Sequence, residues 1–259
     1  MFFVEELKFT ILLTKNVKIE IEKNYKKRGE SILSFVRDKF SAKFFLFLLL
    51  AFLLIHVPIL GNYVKVINTL IHESGHALIA LFGGKVEKIS LFMNSEGATY
   101  SNQSTWIGSF LTSLAGYTFA SFMAFLSFLL IGRKKGTLLI DILLGLIFLN
   151  LIFWVRNPYG IFWLCSFAVA FLFLLIKGSQ NLRDNLLLMI ASILLVDSVQ
   201  SAYEILYISV FQPQAAGDAA NLAQLTVIIP APIWGIFFFL QALWYCYFGL
   251  KRGYYKLGN

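Results

Sequence analysis

Trp106–Ile131 runs for 26 residues without a charged side chain, long enough to cross the hydrocarbon core of a bilayer as a helix. Comparable apolar runs cover Phe44–Leu60, Thr137–Val155, Pro158–Ile176, Leu186–Phe211 and Val227–Leu250. A chain built this way cannot hide its apolar surface in a soluble core. Only 14 % of its residues are charged, against about 25 % in soluble domains. The runs predict an all-α polytopic membrane protein. The net charge of +8 fits cytoplasmic loops near anionic lipid, and no nucleic-acid motif accompanies it. Cys165 and Cys246 lie in apolar runs without C-x-x-C spacing and read as free thiols.

Between the first two runs lies Ile67–Phe82, INTLIHESGHALIALF. On a helix, His72 and His76 share a face and can reach one metal ion. Glu73 projects beside them, placed to take a proton from an attacking water. H-E-x-x-H is the arrangement a zinc peptidase needs: two neutral nitrogen ligands, an open position and a base. The chain has three histidines, and two are here. The flanks are apolar, so these polar groups would be costly without partners or a metal. Asn68, His72 and His76 form a polar stripe, and Asn68 reads either as support for a histidine or as a solvated residue. His56, near Pro58, reads as interfacial.

The motif helix should run over about Val64–Phe82 and stop at Gly83-Gly84, where a positive φ is available. Lys85–Ser101 then alternates around a turn at Asn94–Gly97 and predicts a β-hairpin. Its edge strand could receive an extended peptide. Small residues at Gly108, Ser109, Ser113, Ala115 and Gly116 permit close helix contact, expected against the motif helix. Lys177–Asn185 and Phe211–Thr226 read as polar loops.

The chain divides into a basic cytoplasmic extension at 1–43, a membrane domain at 44–250 and a short basic tail at 251–259. The extension holds ten Lys/Arg against six Asp/Glu, too long and charged a leader for a signal peptide. Strand-like alternation marks Leu7–Leu13 and Val17–Glu22, and Glu30–Lys43 reads as a basic surface helix. With the motif helix the count is six to seven membrane helices plus the hairpin. The basic loops agree on one side if Val64–Ser101 enters and leaves on one face.

A hydrolytic zinc site takes a third protein ligand. The candidates are Asp141, Asp197, Glu204 and Asp218. Asp197 sits near mid-span, where a lone carboxylate needs a partner, and is the first choice; Glu204 and Asp218 follow.

Taken together, HESGHALIALFGGKVEKISL, SLAGY at 113–117, RNPYG at 156–160, SAYEI at 201–205, GDAANLA at 217–223 and IPAPIWG at 229–235 resemble the site-2-protease-like intramembrane metallopeptidases, most closely their divergent B-like branch. The resemblance implies Zn²⁺ held by His72 and His76, Glu73 as general base, and a membrane-protein or membrane-proximal peptide as substrate. The better-known members carry a Leu-Asp-Gly aspartate as third ligand; Val196-Asp197-Ser198 is a loose match here. Two other classes compete: a membrane scaffold of the same fold without proteolysis, and a transporter using the intramembrane acids.

Overall fold

The computed structural model describes residues 42–252. The strand-like stretches and basic helix expected before that range, and the end of the tail after it, lie outside the described residues.

Eight α-helices and one hairpin make up the described chain: α1 (Ala42–Ile55), α2 (Leu60–Ala80), β1 (Gly84–Leu91), β2 (Gly97–Gln103), α3 (Trp106–Gly132), α4 (Gly136–Phe153), α5 (Pro158–Lys177), α6 (Gln180–Phe211), α7 (Gly217–Thr226) and α8 (Ala231–Arg252). A single 3-10 turn, Pro213–Ala215, links α6 to α7. Five helices (α3, α4, α5, α6 and α8) are long and apolar enough to cross a membrane. The all-α polytopic membrane architecture is as the apolar runs predict.

The first expected span is shorter than the sequence suggests. α1 has 14 residues, about 21 Å at the helical rise, too little for a span of its own. Pro58 cannot continue the helix, Ile59 takes a φ of 65°, and the chain turns by 107° between α1 and α2. That bend is what entering and leaving on one face requires, and a broken span has the same bend. Two expected loops also prove helical. α6 begins at Gln180, where the Ser179 side chain accepts a hydrogen bond from the Leu182 N–H. The segment after Phe211 contains α7, whose Ala219, Ala220 and Leu222 are buried.

α3 is the central helix, packed against α2, α6, α7 and α8. Its small residues do what the sequence suggests. A Cβ on Gly75 of α2 would lie 2.8 Å from the Phe119 Cβ and 2.9 Å from the Ala115 carbonyl oxygen, so the two backbones approach closely there. Polar anchors fix α2 on its other sides. The Trp163 indole of α5 donates to the Tyr63 carbonyl at 2.8 Å. Asn150 of α4, fully buried, donates to the Ser74 hydroxyl at 2.8 Å.

β1 and β2 pair antiparallel, with Leu91 opposite Gly97 and Ile89 opposite Thr99. The turn is tied to α2 by the Thr69 hydroxyl, which donates to the Ser95 carbonyl at 2.6 Å. β1's second edge is occupied by the α4–α5 connection. The Ile89 N–H donates to the Trp154 carbonyl at 2.9 Å. Asn157 then acts as a strand residue would: its amide donates to the Leu91 carbonyl at 2.6 Å and its oxygen accepts from the Leu91 N–H at 3.1 Å. Arg156 donates to the carbonyls of Leu151, Ile152, Phe153 and Val155, closing the end of α4. No strand pairs with the outer edge of β2 among the described residues.

Asn157→Ala removes both bonds to Leu91 and is expected to lower stability by about 1–3 kcal/mol. Thermal unfolding of the detergent-solubilised protein checks this; an unchanged midpoint would mean that the α4–α5 connection does not hold β1.

Candidate metal centre

One turn of α2 separates His72 from His76, and the helix brings their Nε2 atoms to 3.0 Å. The His76 Nδ1 donates to the Thr112 carbonyl of α3 at 2.7 Å. A carbonyl can only accept, so the ring's proton sits on Nδ1 and its Nε2 lone pair faces inward. Gly116, one turn further along α3, leaves the space for both rings. A Cβ there would lie 2.5 Å from the Nε2 of each histidine. The Tyr117 ring stands edge-on to His72, 4.6 Å between centroids.

The third member is Asp218, in the first turn of α7. Its Oδ2 lies 3.3 Å from the Nε2 of both histidines, and it receives no hydrogen bond although it is buried. α7 is held by an apolar cluster that includes Ala216, Ala219, Leu222, Ile205 and Phe238. The Trp106 indole also donates to the Leu225 carbonyl at 2.9 Å.

These three side chains suit a divalent cation. Their ligand atoms lie within 4.8 Å of one another, in a triangle of sides 3.0, 3.3 and 3.3 Å. Ligands about 2.0–2.1 Å from a tetrahedral ion stand roughly 3.3 Å apart. A buried carboxylate oxygen without a donor, facing an inward lone pair, is an arrangement that a cation stabilises.

Glu73 is buried beside this triangle. The Thr99 hydroxyl of β2 lies 2.6 Å from the Glu73 Oε2 and 3.1 Å from its carbonyl oxygen, donating to the carboxylate. Oε1 lies against Gly97, where any Cβ would come within 2.7 Å of it. All four groups border a cavity of about 550 Å³.

The other acidic candidates are elsewhere. Asp197, favoured from sequence, is outside the cluster. It is buried on α6 with the Lys65 ammonium of α2 3.8 Å away, so this mid-span carboxylate has a cationic partner other than a metal. Asn68 is buried on α2 and makes no hydrogen bond to either histidine among the described residues. Glu204 is exposed and accepts from Gln200 at 2.9 Å. Asp141 is exposed on α4. His56 donates to the Phe52 carbonyl at 2.7 Å and takes no part. Thr99, Thr112 and Gly116 were not singled out for the site from sequence; their alignment with α2 arises only from the hairpin register and the α2–α3 crossing.

A model of the peptidase M50B-like family matches residues 45–249. The chain belongs to the peptidase M50B-like family. It is accordingly a multi-pass integral membrane protein with a membrane metallopeptidase-like fold. No curated protein and no solved structure matches it.

Metal content of the purified protein separates the acidic candidates in this M50B-like site. His72→Ala and Asp218→Ala are expected to lose a bound divalent ion, and Asp197→Ala to retain it. Retention in Asp218→Ala with loss in Asp197→Ala would reverse the assignment.

Proposed function

We propose that the protein is a zinc-dependent membrane endopeptidase that hydrolyses a peptide bond of a membrane-protein or membrane-proximal substrate. The observation that carries this reading is the convergence of His72, His76 and Asp218 on a cavity that Glu73 also borders. Those three residues would hold the zinc. Bound there, zinc would polarise the scissile carbonyl and acidify the attacking water.

The chain's own residues supply the rest. Glu73 takes the proton from the water and passes it to the leaving nitrogen. The Thr99 hydroxyl occupies Oε2, which orients the carboxylate and keeps Oε1 for the water. The Nδ1 bond of His76 to Thr112 fixes the ring that presents Nε2. The edge of β2 that pairs with no strand among the described residues suits an extended peptide, whose backbone groups can pair with the strand next to Glu73.

Glu73→Gln is expected to lower kcat by about 10²–10⁴ with metal content unchanged. Thr99→Val should cost less, roughly tenfold. A Glu73→Gln protein that cleaves at the wild-type rate rejects the mechanism. A protein whose biological role survives that substitution is the non-proteolytic scaffold of the same fold.

A further inference from the structure

We propose that the cavity beside the metal centre accepts the neutral polar side chains, hydroxyl and carboxamide, of an extended substrate segment and excludes large aliphatic and aromatic ones. This rests on the reading of the site as a peptidase.

Three elements turn a polar face toward the same space. On β2, Gly97, Ala98, Thr99, Ser101 and Gln103 border the cavity, whereas Tyr100 points outward, its ring under the Lys88 ammonium at 4.6 Å. A hairpin laid on apolar helices normally turns its apolar face inward. β1 obeys that rule, burying Val86, Ile89 and Leu91; β2 inverts it. On α3, Ser109, Thr112 and Ser113 share one face and border the cavity. On α7, Asn221 follows Asp218 by one turn and borders the same cavity.

Some of these groups are already satisfied within the protein. The Gln103 amide donates to the Thr112 hydroxyl at 3.0 Å, and Ser109 donates to the Thr105 carbonyl at 3.2 Å. Ser101, Ser113 and Asn221 make no side-chain hydrogen bond among the described residues, and they face the cavity. A leucine or phenylalanine side chain placed there would strip their water and return nothing. A hydroxyl or carboxamide would replace it. The lining carries no fixed charge other than Glu73 and Asp218 and the two histidines, so the complement is neutral. The volume, about 550 Å³, lies in the range of ligand sites. A second groove, of about 710 Å³ between α1, α6 and α8, differs in kind and is walled mainly by residues such as Leu48, Phe52, Leu195 and Phe239.

The test uses the full-length, metal-loaded protein in detergent and a series of amino-acid hydroxamates, with acetohydroxamate as the probe without a side chain. Asparagine and serine hydroxamates are expected to bind at least about tenfold more tightly than the leucine and phenylalanine compounds. Ser101→Val and Asn221→Leu should each narrow that gap and leave acetohydroxamate affinity unchanged. Equal affinities, or a preference for the apolar compounds, overturn the proposal. So does a ranking that neither substitution alters. A metal-loaded protein that binds no hydroxamate at all, acetohydroxamate included, instead removes the peptidase reading beneath it.

Discussion

The close crossing of α2 and α3 is the contact on which the rest of the site depends. Gly75 lets the α3 backbone approach at Ala115. That approach puts the Thr112 carbonyl within 2.7 Å of the His76 ring, and Gly116 directly beneath both imidazoles. One helix therefore carries both histidines, and its neighbour fixes the tautomer of His76 and leaves room for the two rings. In a membrane there is little hydrophobic drive between helices, so such crossings rest on small residues and polar contacts. The chain uses both. Residues that would look like packing filler on α3 are what decide whether two histidines can converge.

Buried polar groups elsewhere follow the same economy. Asn150 meets Ser74, Trp163 meets the Tyr63 carbonyl, and Asp197 meets Lys65. Each joins α2 to a different helix. Because an unpaired polar group is costly in this environment, each contact resists rotation of α2 about its axis. Rotation would carry His72 and Glu73 away from their partners, so the contacts that hold the helix also hold the orientation of its motif.

Most of the membrane architecture was legible because its signals are local. Apolar length marked the spans and alternation marked the hairpin; the motif helix ends at Ala80, with Leu81 as its cap, two residues before the expected Phe82. The motif itself placed His72, Glu73 and His76 on one helix. What could not be read is what depends on distant partners. The burial of Asp197 looks like a demand for metal until Lys65 is seen beside it. α7 reads as loop from sequence because the segment is polar and contains Ala and Gly, with no side-chain cap at Ala216; its stability comes from the apolar cluster around it. Pro58 was visible, but its consequence, a helix too short to span alone, needed the 107° bend to be seen.

A third ligand on α7 rather than mid-span on α6 has a physical logic. An aspartate in the first turn of a helix sits at the positive end of the backbone dipoles, which favours its ionised form. A metal ligand needs that form. Mid-span on α6, a carboxylate has only side chains to stabilise its charge, and Asp197 uses Lys65 for this purpose. α7 is also short and held at both ends, by the turn after Pro213 and by the Trp106 bond to Leu225, so its first turn can be aimed without tilting a whole span. The histidines and the aspartate come from opposite ends of the chain. The proposed metal centre thus needs both α2 and α7 packed against α3.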